Sequence, residues 1–152
     1  MRSLVLLAIL ATCYLSVMAK MQNVTVKGIT VCNKKRLANV HVELYDRDTC
    51  RQHRALYSPS SQLSSVKAIV DPDDLLAETR TNSEGEFQLY GEHDEVGTIE
   101  PFVRITHNCY VTKPGCMRVS DYYVPTNLLG GVYDMTYTTL DIVVQGESEK
   151  CE

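Results

Sequence analysis

Alternation of apolar and polar residues is the feature that most constrains the fold of this 152-residue chain. Val40, Val42 and Leu44 are separated by single, more polar residues, a period of two that is typical of a strand with one buried face. Helical periodicity is missing, and six further runs of this kind occur between turn residues, at 24–31, 76–81, 86–90, 102–106, 117–124 and 136–144. About seven short strands separated by turns predict an all-β fold, a β-sandwich of two sheets.

Four of these runs carry more local predictions. Gly28 interrupts the first strand and indicates a bulge or a close approach of another backbone. The turn residues Asn82 to Gly85 tolerate tight or left-handed conformations, so the third and fourth runs are predicted to form a β-hairpin. In the last run, Leu140, Ile142 and Val144 share strand parity and are predicted to point into the core.

The N-terminal 19 residues have the features of a secretory signal peptide. Arg2 precedes an apolar run at 4–11, and Ala19 supplies a small residue at the expected cleavage point. The run from 4 to 19 is too short and too polar for a good membrane span. The prediction is a secreted, extracellular domain at 20–152, and the net charge of −4 argues against a nucleic-acid partner.

Cysteine usage fits an oxidising compartment. Removal of the signal peptide takes away Cys13 and leaves five cysteines, namely Cys32, Cys50, Cys109, Cys116 and Cys151. An odd number leaves one free thiol or one bridge to a second chain. Since no CxxC pair is present, a metal site built from these cysteines is rejected.

Residues 47–70 do not follow the strand pattern. The segment is basic and has a serine-rich, low-complexity centre, whereas residues 71–100 contain ten acidic residues against Arg80 alone. We predict an inserted, mobile loop between the second and third strands. The basic loop either lies over the acidic stretch or is exposed to solvent, as the acidic stretch is. The solvated arrangement is favoured, because exposed ion pairs contribute little stability. Cys50 lies in this loop and is the candidate for the unpaired cysteine or for a disulfide-linked dimer.

Acidic residues flank the same insertion. Asp46, Asp48, Asp71, Asp73 and Asp74 would meet at one end of the sandwich if the insertion loops outward. Calcium takes several hard oxygen ligands from such loops, so these five aspartates are the candidate calcium site. The alternative is a solvated acidic lip, because the spacing is not that of an EF-hand.

The histidines form no recognisable catalytic motif. His41, His53, His93 and His107 are scattered, and none lies beside a serine in a nucleophile motif. His107 shares strand parity with Val103 and Ile105, which indicates either a ligand-contacting or pH-sensitive group or a histidine satisfied by the backbone. Separately, Asn23 begins an Asn-Val-Thr sequon and is the candidate glycosylation site.

Four blocks together resemble the nematode transthyretin-like family. They are VKGITVCNKKRLANVHVELYDRD (26–48), DPDDLLAETRTNSEGEFQLYG (71–91), IEPFVRITHNCY with PGCMRVSDYYVP (99–125) and YDMTYTTLDIVVQGE (133–147). The resemblance covers nearly all of residues 20–152 and implies a transthyretin-like β-sandwich. The insertion departs from the family pattern, in which DRD runs almost directly into DPDD, so it is either an elaborated loop or a product of the gene model.

The resemblance also implies a disulfide pairing. In transthyretin-like sandwiches the first and last major strands run side by side in parallel, so Cys32 is expected to meet Cys151. Cys109 is then expected to pair with Cys116, around a small loop that contains Pro114 and Gly115.

Little chemistry follows from the family. The wider superfamily includes 5-hydroxyisourate hydrolases, which share a histidine in the first strand and a C-terminal Tyr-Arg-Gly-Ser. Neither is present here, and residues 146–152 read Gly-Glu-Ser-Glu-Lys-Cys-Glu. The expectation is therefore a secreted, non-catalytic binding or adaptor protein for an extracellular protein or lipid. Carriage of a small hydrophobic ligand or lipid by an oligomer is the alternative.

Overall fold

The described part of the chain forms nine β-strands arranged in two sheets. The computed structural model describes residues 20–47, 72–95 and 97–151, and its short 3₁₀ helix covers Thr126–Leu128. The strands are β1 (Lys20–Cys32), β2 (Lys35–Arg36), β3 (His41–Asp46), β4 (Asp74–Arg80), β5 (Glu86–Glu95), β6 (Pro101–His107), β7 (Cys116–Tyr123), β8 (Val132–Thr139) and β9 (Ser148–Cys151). The predicted two-sheet sandwich is confirmed, with β2 and β9 as the strands that the period-two pattern did not reveal.

Strand β1 is the centre of the first sheet, which we call sheet 1. It pairs with β5 in antiparallel register from Lys20 to Ile29, with β8 in parallel and with the two-residue β2. The parallel β1–β8 pair confirms the arrangement of first and last major strands that the family resemblance implies.

The second sheet, sheet 2, has the order β4-β3-β6-β7-β9, and all its pairs are antiparallel. Its central strands alternate as expected: Val42 and Leu44 face inward from β3, and Val103 and Ile105 face inward from β6. These four side chains are fully buried against inward residues of sheet 1, including Val24, Val26, Phe87 and Leu89. Burial of each such side chain contributes roughly 1.5–3 kcal/mol.

The predicted hairpin around Asn82 is wrong in its pairing. Strand β4 pairs with β3 in sheet 2, whereas β5 pairs with β1 in sheet 1. The turn is tight as predicted, because Asn82 Oδ1 accepts hydrogen bonds from the N–H groups of Glu84 and Glu86, and Gly85 has φ of 71°. Turn residues therefore mark the reversal of the chain, but the chain passes between the two sheets here.

The last predicted strand is also corrected. Strand β8 ends at Thr139, after which Leu140 is buried while Ile142 is 65% exposed and Val144 is half-buried. The chain leaves sheet 1 at this point and adds β9 to the edge of sheet 2. Apolar alternation beyond residue 139 therefore did not mark a strand.

This crossing explains why the predicted disulfide pairing is wrong. The four cysteines expected to form bridges do so, but as Cys32–Cys109 and Cys116–Cys151. Cys151 lies in sheet 2 directly opposite Cys116, so it cannot reach the end of β1. Cys32 instead joins Cys109, just after β6, and this bridge links the two sheets.

Several predictions fall on residues outside the described ranges. They are the signal peptide at 1–19, the insertion apart from Arg47, and Cys50 with its proposed link to a second chain. Among the described residues, no helix is long and apolar enough to cross a membrane.

Candidate ligand-binding groove

A groove of about 540 Å³ crosses the outer face of sheet 1. Strands β5, β1 and β8 and the Asn82 turn contribute its lining, which consists of Lys27, Gly28, Ile29, Asn82, Glu86, Phe87, Gln88, Asp134, Thr136 and Tyr137. The volume falls within the range of small-ligand sites. This concave surface is therefore the candidate binding site of the domain.

A β-bulge in β8 shapes one wall of the groove. Lys27 is opposite Asp134 and Ile29 is opposite Tyr137, so two residues of β8 face the single residue Gly28. The Phe87 ring also packs closely against Gly28, because a Cβ at this position would lie 2.9 Å from Phe87 Cζ. The bulge predicted at Gly28 is present as a register shift whose extra residue lies in the partner strand β8, and the close approach is made by side chains rather than by a backbone. Bulges of this kind redirect side chains next to functional sites.

Thr136 is the strained residue of this bulge. Its φ is 53°, a left-handed conformation that is unfavourable for a β-branched residue and costs about 1–3 kcal/mol. Its N–H donates a 2.9 Å hydrogen bond to Asp134 Oδ1, which holds the bulge in place. The bulge brings Thr136 and Tyr137, which is 61% exposed, into the groove.

An ion pair between β1 and β8 places charge of both signs in the groove, and Glu86 adds a second carboxylate. Lys27 Nζ lies 3.1 Å from Asp134 Oδ2, with both side chains about half exposed. The hydrogen bond from the Thr136 N–H, followed by the one from Lys27, holds the pKa of Asp134 below its usual range. The carboxylate therefore stays ionised in mildly acidic solution.

The lining also defines what the groove can do chemically. Asn82 and Gln88 add amide donors and acceptors, and Tyr137 adds an exposed aromatic ring. The described lining residues include no histidine, serine or cysteine. This composition suits a polar ligand with one flat or apolar side.

A second cavity, of about 560 Å³, lies beside β7 and β9. Its described lining consists of one charged residue, Lys150, together with Thr106, Gly115, Met117, Val119 and Cys151. Among the residues that the structure describes, its lining contains neither a strained non-glycine residue nor an ion pair, so the groove on sheet 1 is taken as the candidate site.

The predicted calcium ligands are only partly brought together. Asp46 is buried, with Oδ2 3.0 Å from His93 Nδ1 and Oδ1 accepting the N–H of Glu100 at 2.7 Å. Asp74 Oδ2 lies 3.5 Å from the other ring nitrogen of His93. The hydrogen bond to Asp46, opposed by burial, raises the pKa of His93. These two carboxylates therefore converge on a histidine, which contacts one oxygen of each.

The remaining members of that set do not complete a site. Asp73 is half-buried in the segment that enters β4, and Asp48 and Asp71 lie outside the described residues. Calcium binding by the five aspartates stays a prediction.

His107 belongs to a buried polar network in sheet 2. Its Nδ1 accepts the N–H of Cys109 at 3.2 Å, and its Nε2 lies 3.4 Å from Ser120 Oγ. Ser120 in turn donates to Glu147 Oε2 at 2.6 Å, and Glu147 forms an ion pair with Arg118. Arg118 and Glu147 side chains are only 5% and 6% exposed, so this network is enclosed by protein and away from the groove.

The other predicted site residues lie apart from the groove and from the His107 network. His41 is on the outer face of sheet 2 beside Glu43 and Glu78. Asn23 is half-buried in β1, and its glycosylation stays a prediction. His53 lies outside the described residues.

Sequence reasoning missed the groove itself. Gly28 was the one available signal, since it marked the place where β8 bulges. The identity of the opposing residues Asp134, Thr136 and Tyr137 required the parallel pairing of β1 with β8, which joins positions more than 100 residues apart.

Comparison with known proteins relates the whole chain to one group. Residues 27–125 match the family model described as TTR-52: Transthyretin-like family. Transthyretin-like protein 16 of Caenorhabditis elegans is 51% identical over 152 residues, which cover 100% of both chains. Transthyretin-like protein 33 of the same nematode is 32% identical over 86% of this chain and 82% of its own length. Transthyretin-like protein 5 is 28% identical over 99% of each chain.

Proposed function

Because the chain belongs to the transthyretin-like family, we propose that it is a secreted, non-catalytic extracellular binding protein whose ligand occupies the groove on sheet 1. The observation that carries this proposal is the groove of about 540 Å³ with a charged pair and an exposed tyrosine at a strained bulge. Strain of this kind persists where the surrounding structure holds it and is enriched at binding sites.

Secretion is supported by the N-terminal sequence and by the disulfides. Residues 1–19 have the composition of a signal peptide. The two bridges, Cys32–Cys109 and Cys116–Cys151, suit an oxidising compartment.

A binding role without catalysis is supported by the separation of the reactive side chains. His93 is held by Asp46 and Asp74, His107 is enclosed in the core, and His41 lies on the other sheet. None of these three lines the groove.

The lining indicates a polar ligand. Lys27 and Asp134 offer charge of both signs, Gln88 offers an amide, and Tyr137 offers an exposed ring on the other side of β1. Desolvation of a charged pair opposes the binding of a purely hydrophobic molecule. The groove therefore supports a polar partner rather than the hydrophobic carrier, which remains the alternative.

Site-specific photo-crosslinking tests the proposal. Benzoylphenylalanine is introduced in place of Tyr137, and in a matched control in place of Tyr110, which is equally exposed at 62% against 61%. Each protein is irradiated with nematode extracellular fractions. We expect adducts from position 137 that are absent from position 110 and that weaken when Lys27→Glu is added.

Three outcomes would contradict the proposal. Identical adduct patterns at the two positions would mean that the groove recruits nothing specific. Adducts that persist in the Lys27→Glu background and are displaced by a fatty acid would favour the hydrophobic carrier. Turnover of an ester or ureide substrate by the purified protein, abolished by a groove substitution, would overturn the non-catalytic assignment.

A further inference from the structure

We propose that His41, Glu43 and Glu78 form a binding site for a divalent transition-metal ion of the zinc type on the outer face of sheet 2. This site lies on the opposite sheet from the groove and does not depend on the function proposed for it. The three residues come from the adjacent antiparallel strands β3 and β4.

The ligand atoms are already gathered. One atom from each residue can be chosen so that all three lie within 4.8 Å of one another. His41 Nε2 is 3.2 Å from Glu78 Oε2, and His41 Nδ1 is 3.9 Å from Glu43 Oε2. Ligands about 2.0–2.1 Å from a tetrahedral zinc ion lie roughly 3.3 Å apart. Because the two carboxylates approach different ring nitrogens and one ion takes only one of these, the Glu78 side chain, which is 61% exposed, must rotate toward Nδ1 to complete the coordination.

The sheet register places the two carboxylates in an unfavourable arrangement without a cation. Glu43 and Glu78 are direct cross-strand partners, and like charges in this position destabilise a sheet. His41, two residues before Glu43, projects on the same face. A bound dication would neutralise both carboxylates and use the imidazole as its third ligand.

The neighbouring arginines are directed to other partners. Arg104, opposite Glu43 on β6, donates two hydrogen bonds of 2.8 Å to Asp121. Arg80, opposite His41 on β4, donates to the carbonyl oxygen of Asn39. The carboxylates of Glu43 and Glu78 are therefore left facing His41.

Tyr45 orients one of the ligands. Its hydroxyl donates a 2.9 Å hydrogen bond to Glu43 Oε1, which leaves Oε2 on the side of His41. Such outer contacts hold metal-binding carboxylates in position. The Glu43 side chain is only 15% exposed, whereas Glu78 is 61% exposed, so the site is anchored on one side and open to solvent on the other.

The donor set selects the class of metal. An imidazole with two carboxylates suits Zn²⁺ and its neighbours, whereas Ca²⁺ and Mg²⁺ prefer oxygen alone. Two further groups of metal-ligand type exist among the described residues, but each contains both sulfurs of a disulfide. Three protein ligands leave a coordination position for water or for a donor from another molecule.

Zn²⁺ titration of the mature, disulfide-bonded protein at pH 7.5 tests the site. Calorimetry is compared for the wild type, His41→Ala and Glu78→Gln, with Glu92→Gln as the matched control. Glu92 is an exposed glutamate that also accepts a tyrosine hydroxyl hydrogen bond, from Tyr90. Melting temperatures in EDTA establish that the variants are folded.

We expect one Zn²⁺ equivalent in the wild type and in Glu92→Gln that is missing from both ligand variants. Tyr45→Phe should weaken the binding roughly 10-fold or more, and Ca²⁺ should not compete. Zn²⁺ should raise the melting temperature of the wild type but not of His41→Ala. If the wild type binds no more Zn²⁺ than His41→Ala, the three residues form an ordinary His–Glu ion pair and the proposal is overturned.

Discussion

Replacement of His107 by asparagine should reduce the acid sensitivity of this domain. His107 is 1% exposed at the end of β6 and faces Ser120, Arg118 and Glu147. Burial, followed by the positive charge of Arg118, lowers the pKa of His107 from 6.5 to about 4, and Glu147 opposes the shift only partly. The folded protein thus holds this imidazole neutral at a pH where the unfolded chain protonates it.

The size of the effect follows from that difference. Between pH 6.5 and about 4 the unfolded chain binds more protons at this residue than the folded protein, so stability falls as the pH falls. At about 1.4 kcal/mol for each pH unit, the lowered pKa corresponds to roughly 3 kcal/mol of unfolding free energy lost between pH 7 and pH 4. Well below pH 4, where both states are protonated, this residue adds no further loss.

Urea unfolding at several pH values measures this loss. Asparagine is the replacement because its side-chain oxygen can still accept the Cys109 N–H that His107 Nδ1 accepts. The variant will be less stable at pH 7, so the informative quantity is how much the free energy of unfolding of each protein changes with pH. We expect the wild type to lose roughly 3 kcal/mol more than His107→Asn between pH 7 and pH 4. Parallel pH profiles for the two proteins would refute the reasoning.

Three further predictions concern other parts of the fold. His93→Asn should have the opposite pH dependence, because the folded-state pKa of His93 is raised, mainly by Asp46. Its stabilisation is full below pH 6.5 and is lost as pH rises above that value through the raised folded-state pKa. Equal destabilisation at pH 5.5 and pH 8.5 by urea unfolding would contradict this. Arg118→Met leaves the Glu147 carboxylate buried without its partner and should cost about 3–5 kcal/mol, with recovery in a double variant that also carries Glu147→Leu. Gly28→Ala forces a Cβ against Phe87 and should cost about 1–3 kcal/mol by the same assay, whereas an unchanged midpoint would mean that the ring moves freely.

Strand positions were predictable because they depend on local alternation. A strand with one buried face needs an apolar residue at every second position, and the runs around Val42, Leu89 and Ile105 meet that condition by themselves. The turn at Asn82 was predictable for the same reason, since its side chain and Gly85 satisfy the backbone within five residues. The family resemblance added the parallel pairing of the first and last major strands.

Pairing partners were not predictable by the same means. Period-two alternation indicates that a strand has a buried face, but it does not indicate which sheet that strand joins. Strands β4 and β5 therefore look like a hairpin in sequence and belong to different sheets in space. Ile142 continues the alternation of the last run, yet lies in the segment that crosses between sheets and is exposed.

The amino-acid sequence by itself determined that this chain forms a β-sandwich of the transthyretin-like family, because alternation, turn residues and family motifs are all properties of contiguous stretches. The tertiary structure alone decided which cysteines meet, since β9 adds to sheet 2 and places Cys151 opposite Cys116. It also decided both candidate sites. The groove joins Lys27 to Asp134, and the metal-ligand cluster joins His41 to Glu78. Such contacts depend on the register between distant strands, which the core packing of both sheets sets as a whole.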